Sequence, residues 1–379
     1  MRRVHIIYTG FVTDDGERIT LGGVQTYLLN LTKVFHDLGF EIHFYKPADI
    51  NKDNYLSGLF VHLIRTSIPK RFPILRIKTV FRRMKERINK DSDLVLFADD
   101  LFSCRARGYR TISIQHGIFW DVPQEMIIGK VRFAWVYFRK QLNSIQRLIH
   151  STFSTIQVCV DYNYVNWYRS LMPYSISKLI VIPNFTELLP KIEKPTDYIN
   201  IVFARRFEKM RGTRIFADAI FRVLNEYKNV KVTLAGWGSD EQWLRSKLEV
   251  YPNVEFTTYK SEESLAFHSR FHIAVVPTIG SEGTSLSLLE AMSAQCAVIG
   301  SDVGGITNIL IDGFNGLMVP SGDSEALYKA LIQLITNPEL RLQLSEAGYH
   351  TVKTGFSIDK WRDKWIESIN KAYEGNSLR

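Results

Sequence analysis

The feature that most constrains the fold of this chain is a repeated alternation of short apolar runs with segments of helical periodicity. In the second half, the runs INIVFA, VKVTLAG, VEFTTY and FHIAVVP are separated by helices predicted near residues 213–227 and 240–250. A further helix predicted at residues 323–336 continues the series. Strands that alternate with helices form parallel sheets covered by helices. This half therefore predicts a doubly wound α/β domain.

The first half shows the same alternation, with strand-like runs such as VHIIYTG, LVLFA and KLIVIP and a helix after Gly22 and Gly23. Between the halves lies TELLPKIEKPTD, in which Pro190 and Pro195 flank polar and charged residues, as is typical of a linker. We expect domains at residues 1–190 and 196–356. The pattern predicts an α/β fold of two Rossmann-like, doubly wound parallel-sheet domains facing a central cleft, with ligands at the carboxyl ends of the strands.

Charge is unevenly distributed between the halves. Residues 1–190 contain 26 Lys and Arg against 16 Asp and Glu, a net charge of +10, whereas residues 191–379 contain 22 against 23, a net charge of −1. The excess lies in residues 69–90 and 129–150. The second segment interleaves aromatic and basic side chains: Phe133, Trp135, Tyr137 and Phe138 with Lys130, Arg132, Arg139 and Lys140. Such segments suit an anionic membrane surface, and half-buried helices with solvated basic faces are the alternative.

Other observations narrow the class of protein. No run of about 18 apolar residues is present, so we expect no membrane-spanning helix. The three cysteines are scattered, which argues against a disulfide framework or a metal site and favours a reducing compartment. The apolar run near the N-terminus is too short for a secretory signal. We therefore expect a cytoplasmic protein, and we expect no nucleic-acid partner.

Several segments suit a phosphate group. Gly22–Gly23 and the run Gly283, Thr284 and Ser285 open predicted helices, where backbone N–H groups and the helix dipole favour an anion. The sequence FARRFEKMRGTR follows the first strand of the second domain, where basic side chains could bind a diphosphate: Arg206, Lys209 and Arg211. A solvated loop is the alternative. Neither GxGxxG nor GxxxxGK[ST] is present, which counts against a dinucleotide enzyme and a P-loop NTPase.

Two glutamates stand out in the segment GSEGTSLSLLEAMSAQ, residues 280–295. Glu282 and Glu290 are eight positions apart. A carboxylate accepts charge-assisted hydrogen bonds, and a sugar or a ribose offers several hydroxyl donors. The pair therefore suits a sugar-containing ligand, although glutamates on a solvated helix are the alternative. The adjacent carboxylates of Asp99 and Asp100 are expected at a strand end.

These residues belong to a longer series of motifs. ARRFEKMRG, LAGWGSD, EGTSLSLLEAMSA, SDVGGITNIL and DGFNGLMVPSGD follow one another within residues 199–335, and the series resembles glycosyltransferase family 4. The first half is similar more loosely, through GGV before the first helix, QHG at residues 115–117 and IPN ending at Asn184. The resemblance implies the GT-B fold and a retaining, nucleotide-sugar-dependent transferase. It also implies that residues 357–379 pack back on the first domain.

The resemblance further implies roles for individual residues. Glu290 would hold the ribose hydroxyls and Glu282 would face the donor sugar. Eight helical residues at ~1.5 Å each would separate them by roughly 12 Å, about the span of the diphosphate between ribose and sugar. Arg206 and Arg211, or Lys209 in place of Arg211, would bind the diphosphate and stabilise the leaving group. The implied catalytic residues are His116, Arg206, Arg211 and Glu282. The implied donor-binding residues are Gly23, Arg206, Lys209, Arg211, Gly236, Glu282, Gly283, Thr284, Ser285, Leu286 and Glu290.

The sequence therefore predicts an enzyme that moves a sugar from a UDP-, GDP- or dTDP-sugar to a glycan or lipid-linked glycan, with no metal and no further cofactor. The resemblance and the basic first half favour bacterial polysaccharide or lipopolysaccharide synthesis by a peripheral protein at the inner face of the cell membrane. Two alternatives stay open. One is a sugar-nucleotide epimerase on the same fold, and the other is a non-catalytic two-domain ligand-binding protein.

Overall fold

A computed structural model of the chain describes residues 2–374 except residues 21, 119, 122, 124–127, 173–177, 191–192, 195–196 and 281. Pro195 of the predicted linker and residues 375–379 of the predicted C-terminal segment lie outside the described residues. The chain separates into two compact units. The first contains residues 1–116, 139–182 and 361–379, and the second contains residues 117–138 and 183–360.

Eight strands form the sheet of the first unit: β1 (Arg2–Ile7), β2 (Phe40–Ala48), β3 (Lys52–Leu56), β4 (Leu59–Arg65), β5 (Leu94–Phe97), β6 (Arg110–Gln115), β7 (Ile156–Cys159) and β8 (Leu179–Val181). Their order is β3-β4-β2-β1-β5-β6-β7-β8. The β3–β4 pair is antiparallel and the other pairs are parallel. Every residue of β5 and β7 is buried, which explains why these strands appear in the sequence as short apolar runs.

The described residues of the first half form four α-helices: α1 (Gly23–Asp37), α2 (Pro73–Met84), α3 (Lys130–Ser151) and α4 (Tyr162–Leu171). The two predicted basic segments form α2 and α3. Helix α2 buries an apolar face that includes Ile77, Val80 and Phe81. Helix α3 instead buries Ser144, His150 and Ser151. Of the described helices, none combines the length and the apolar character needed to cross a bilayer.

Six parallel strands form the sheet of the second unit: β9 (Ile199–Ala204), β10 (Val230–Ala235), β11 (Val254–Thr257), β12 (Ile273–Val276), β13 (Ala297–Ser301) and β14 (Leu317–Val319). Their order is β11-β10-β9-β12-β13-β14. From β9 the chain continues outward to β10, and from β12 it continues in the opposite direction to β13. A crevice forms at the carboxyl ends of two strands whose connections diverge in this way, and open α/β sheets bind ligands there.

Helices cover both faces of this second sheet: α5 (Thr213–Glu226), α6 (Glu241–Leu248), α7 (Ser264–His268), α8 (Leu286–Ser293), α9 (Ser324–Thr336) and α10 (Pro338–Gly355). Ile201 and Phe203 pack in one apolar cluster with α5, and Val202 packs in another with α8. Alternate residues of β9 thus face opposite layers. The predicted doubly wound parallel sheet is confirmed.

The last helix, α11 (Ile358–Glu374), carries apolar residues at steps of four along one face. Trp361, Trp365 and Ile369 are all buried. The indole N–H of Trp365 donates to the hydroxyl of Tyr27 at 2.9 Å, and the hydroxyl of Tyr373 donates to the Ser92 carbonyl at 2.7 Å. The apolar stripe of α11 is therefore core packing of the first unit.

Candidate active site

The candidate site lies in the second unit, at the carboxyl ends of the neighbouring strands β9 and β12. Arg205 follows the last residue of β9, and Glu282 lies in the segment after β12. The backbone N–H of Ile279 donates to the carbonyl of Met210 at 3.1 Å, which ties the two loops together. Two residues that are 77 positions apart in sequence, Arg205 and Glu282, thus meet at the divergence point of the sheet.

Three donors converge on one carboxylate oxygen of Glu282. The Nη2 atom of Arg205 donates to Glu282 Oε2 at 2.8 Å, the Nη1 atom of Arg211 donates to the same oxygen, and the Thr278 hydroxyl lies 3.2 Å from it. Within the described part of the chain, the buried Nη1 of Arg205 has no hydrogen-bond partner. Two guanidinium groups beside one carboxylate leave a net positive charge and an unused donor. This arrangement suits an anionic ligand such as a phosphate.

Burial and charge act in opposite directions on Glu282. Burial alone would favour its neutral form, but the charges of Arg205 and Arg211 hold the pKa of Glu282 below its usual range. Burial, together with the neighbouring charge of Arg211, lowers the pKa of Arg205 from its high ordinary value. The side chains of Arg205 and Glu282 are 6% and 12% exposed. The cluster is therefore a largely desolvated set of charges.

The motif SDVGGITNIL supplies the support for the loop that carries Glu282. The N–H of Gly305 donates to the Glu282 carbonyl at 2.7 Å. A Cβ atom at Gly304 would lie 2.3 Å from that carbonyl oxygen, and a Cβ atom at Gly305 would lie 2.4 Å from the Gly283 carbonyl oxygen. Side chains at these two positions would displace the loop. The glycine pair thus fixes the backbone from which Glu282 extends.

The neighbouring basic residues that the sequence singled out divide into two groups. Arg211 bonds Glu282, whereas the side chain of Arg206 is 53% exposed and pairs with Glu208 at 3.4 Å. Lys209 is exposed. Arg205, which the sequence analysis did not single out, occupies the place expected for Arg206. The structure therefore brings Arg205 and Arg211 together at Glu282, and it does not bring Arg206 or Lys209 there.

The second glutamate has different surroundings. Glu290 lies on α8, and burial raises its pKa to about 7, an effect that a hydrogen bond with Ser264 opposes in part. No ion pair to Glu290 is formed by the described residues. The helix begins at Leu286, so Glu282 lies on the preceding loop. The expected separation of the two glutamates by eight helical residues is therefore wrong, because only the last part of that segment is helical.

The remaining predicted donor-binding residues of the second unit surround this cluster. A Cβ atom at Gly236 would lie 2.0 Å from the Arg205 carbonyl oxygen, so glycine permits the loop after β10 to approach Arg205 closely. Thr284 and Ser285 are buried just before Leu286, the first residue of α8. The side-chain amide of Asn184 donates to the Thr284 carbonyl at 2.7 Å. Asn184 thus holds the start of α8, a role that the sequence analysis did not assign.

Two predicted site residues belong to the first unit. Gly23 is exposed at the first position of α1. His116 follows β6, and its Nε2 atom donates to the Ala98 carbonyl at 2.8 Å. Burial lowers the pKa of His116, so its ring is neutral near pH 7. Its ring meets that of Tyr27 edge to face, with centroids 5.5 Å apart.

The carboxylate pair of the first unit follows β5, at the strand end where it was expected. Arg147 of α3 donates to Asp99 at 3.1 Å and also to Asp100. Burial raises the pKa of Asp100, and the charge of Arg147 opposes this effect. Asp99 and Asp100 thus both bond Arg147 of α3.

Sequence comparisons place both halves of the chain in one group of enzymes. Residues 21–188 match the family described as Glycosyltransferase Family 4, and residues 199–337 match Glycosyl transferases group 1. An uncharacterised glycosyltransferase of Methanocaldococcus jannaschii is 26% identical over 364 residues, 93% of this chain and 95% of that protein. The phosphatidyl-myo-inositol mannosyltransferase of Mycobacterium leprae is 30% identical over 155 residues, 40% of this chain. That match spans 41% of the mycobacterial protein.

Structural comparisons agree on the fold. Sucrose-phosphate synthase from Thermosynechococcus elongatus superposes with a TM-score of 0.77 at 16% identity, covering 99% of this chain and all of that chain. Anabaena HepE in complex with UDP gives a TM-score of 0.71 at 12% identity, covering 98% of this chain and all of that chain. The predicted GT-B class is confirmed by these neighbours. The chain is thus a glycosyltransferase and belongs to glycosyltransferase family 4.

Proposed function

We propose that the second unit binds a nucleotide-diphosphate sugar and that the enzyme transfers the sugar with retention of its anomeric configuration. The observation that carries this proposal is the cluster of Arg205, Arg211 and Glu282 at the divergence point of the sheet. Its net positive charge and the unused donor of Arg205 match a diphosphate. Guanidinium groups that bond more strongly as negative charge develops on the leaving phosphate would lower the barrier to transfer.

The surroundings of Glu290 support a ribose contact. Glu290 is half-buried and its pKa is raised, so hydroxyl donors would stabilise its ionised form, and a ribose offers two on adjacent carbons. Glu282, held by its arginines, is proposed to face the donor sugar. The segment from Gly283 to Leu286 is proposed to approach the phosphates at the start of α8. The roles of Gly23 and His116 stay predictions.

The similar proteins support the donor and acceptor classes that we propose. They include a phosphatidyl-myo-inositol mannosyltransferase and a mannosyltransferase of lipopolysaccharide core biosynthesis, and the structure of HepE was solved with UDP and with UDP-glucose. We therefore propose a UDP-, GDP- or dTDP-sugar donor and a glycan or lipid-linked glycan acceptor in cell-surface polysaccharide or lipopolysaccharide synthesis. A donor at about 100 times its Kd adds roughly 2.7 kcal/mol to stability, so a thermal-shift screen of these donors identifies the nucleotide.

The catalytic proposal is tested by two neighbouring substitutions. Arg205→Met is expected to lower kcat by about 10²–10³, the scale of removing one donor to developing negative charge. Arg206→Met is the matched control, because Arg206 pairs with Glu208 and is expected to leave kcat nearly unchanged. The measurement follows both nucleotide release and sugar transfer. An equal loss in the two variants, or a change confined to KM in Arg205→Met, would remove Arg205 from the chemical step.

Three further measurements test this proposal, and the first separates it from an epimerase. An epimerase would convert the donor to an isomer without releasing nucleotide, whereas transfer releases one nucleotide for each sugar moved. Because guanidinium groups supply the positive charge in the proposed site, we expect transfer to continue in EDTA. The anomeric configuration of the product, measured by NMR, tests retention.

We also propose that the protein works as a peripheral protein at the inner face of the cell membrane. The net charge of +10 on residues 1–190 supports this location, since each basic residue near an anionic surface contributes about 1 kcal/mol. Recovery of the protein in the membrane fraction of gently lysed cells is the expected result. Complete recovery in the soluble fraction at low salt would contradict it.

A further inference from the structure

Helix α3 exposes a continuous row of apolar side chains. Six apolar residues recur along it at alternating steps of four and three, and at about 100° per residue they fall within an arc of about 80°. Each is 51–99% exposed. We call this row the α3 stripe: Val131, Trp135, Phe138, Leu142, Ile145 and Ile149. At ~1.5 Å per residue the helix is roughly 33 Å long, so the stripe forms a large exposed apolar patch.

In the C-terminal part of α3, the side of the helix away from the stripe is polar and bonds the first unit. Arg147 bonds Asp99 and Asp100, and Nδ1 of His150 donates to the Ser103 carbonyl at 2.9 Å. Ser144 is buried on the same side of the helix. A surface helix normally buries its apolar face and exposes its polar face. In this part of α3 the arrangement is reversed, and the side chains of the stripe stay largely exposed.

Of the aromatic residues that the sequence singled out in α3, only some belong to the stripe. Trp135 and Phe138 belong to the stripe, with 66% and 63% of their surface exposed. Phe133 is half-buried and its ring lies 5.4 Å from that of Tyr137, away from the stripe. Aromatic side chains such as Trp135 favour the boundary between lipid headgroups and acyl chains.

The charges beside the α3 stripe favour an anionic membrane over a second copy of α3 as its partner. Helix α3 contains no Asp or Glu, and Arg132 and Arg139 flank the stripe on one side while Lys130 flanks it on the other. Alternating steps of four and three also suit a coiled coil with a second copy of α3. Such a pair would bring basic flanks together without an acidic residue between them. Anionic lipid headgroups, by contrast, complement these flanks.

We propose that α3 lies in the plane of an anionic bilayer, with the stripe inserted at the boundary between headgroups and acyl chains and with Arg132 and Arg139 on lipid phosphates. The inference rests on the membrane location proposed above and names the element and the mode of contact. It differs from attachment by basic residues alone, because inserted apolar side chains hold the protein when salt screens the charges.

The test is flotation of the full chain with vesicles of phosphatidylcholine and phosphatidylglycerol in equal parts. The stripe variant Trp135→Gln/Phe138→Gln is expected to lose vesicle binding by about tenfold or more, since both large apolar side chains leave the bilayer. The matched control is Val250→Gln/Leu342→Gln, which removes two side chains of comparable exposure, 74% and 55%, outside α3. It is expected to bind as the wild type does. Unchanged circular dichroism in both variants shows that the fold is retained.

A second readout reports insertion itself. Brominated phosphatidylcholine is expected to quench part of the tryptophan fluorescence of the wild type, and Trp135→Phe, which keeps an apolar stripe, is expected to remove that quenching while retaining vesicle binding. Wild-type binding that persists at high salt supports insertion. Binding abolished by salt alone, or retained fully in the stripe variant, overturns the proposal and leaves only electrostatic attachment.

Sedimentation equilibrium tests the alternative that the stripe binds a second copy of the protein. A wild-type dimer that the stripe variant abolishes, with no vesicle binding by either protein, would assign the stripe to a second copy and overturn the proposal. Nucleotide-sugar binding, measured without vesicles, distinguishes the two proposals. A protein that floats through its stripe but binds no nucleotide sugar would contradict the proposed function and leave this inference standing.

Discussion

Glu282 and Glu290 have the same side chain, stand eight positions apart and are both half-buried, yet their surroundings shift their pKa values in opposite directions. Two arginines hold the pKa of Glu282 below its usual range, whereas burial raises that of Glu290 to about 7. Arg205 and Arg211 compensate the negative charge of Glu282. Glu290 has a hydrogen bond with the hydroxyl of Ser264 and forms no ion pair among the described residues. The difference separates a carboxylate that organises the site from one suited to hydroxyl donors of a ligand.

The largest expected effect is on the free energy of unfolding when Glu282 is replaced. Glu282→Gln leaves Arg205 and Arg211 close together without a counter-charge and is expected to lower the free energy of unfolding by about 3–5 kcal/mol in urea titrations at pH 7. The matched control, Glu208→Gln, breaks the exposed pair with Arg206 and is expected to cost less than about 1 kcal/mol.

The pH dependence sharpens this result. Because the pKa of Glu282 is lowered on folding, its stabilising contribution is present above the ordinary glutamate pKa and is lost as pH falls through the lowered value. The difference between the wild type and Glu282→Gln should therefore shrink in acid. A constant difference, or equal costs for the two variants at pH 7, would show that the ion cluster does not organise the loop.

Replacement of Glu290 is expected to have a smaller effect on the free energy of unfolding, and of opposite sign. Folding raises the pKa of Glu290 from about 4.5 to about 7, so the folded state retains a proton that the unfolded state releases. Its ionisation then destabilises the fold as pH rises through that window. Glu290→Gln is expected to raise the free energy of unfolding at pH 8 by about 1–3 kcal/mol and to have little effect at pH 4. Destabilisation at pH 8 would mean that a positively charged group of the protein pairs with Glu290.

Much of the fold could be predicted because parallel strands buried on both faces appear as apolar runs. Strand β9 has its predicted bounds, residues 199–204, and α9 begins one residue after Asp323, whose carboxylate accepts a hydrogen bond from the Ala326 N–H. These features depend on neighbours within a few positions. Local sequence patterns contain that information.

The details of the site depend on contacts that local patterns do not contain. Successive residues at a strand end point to opposite sides, so one of Arg205 and Arg206 faces the site and the other faces solvent. The choice is set by Glu282, which is 77 positions away in sequence. Likewise, the period of α3 predicts an amphipathic helix but does not state which face the protein covers. Its polar face is anchored by Asp99 and Asp100, which precede the helix by about 30 positions.

We propose that Glu290 binds the ribose of a nucleotide while Arg205 and Arg211 bind its diphosphate. Calorimetry at pH 8, where Glu290 is ionised, compares UDP or GDP with its 2′,3′-dideoxy counterpart in the wild type and in Glu290→Ala. We predict that the wild type binds the dideoxy nucleotide more weakly by about 1–3 kcal/mol, the scale of losing a charged hydrogen-bond partner, and that Glu290→Ala binds both nucleotides equally. A variant that still distinguishes the two nucleotides as strongly as the wild type does would contradict the assignment.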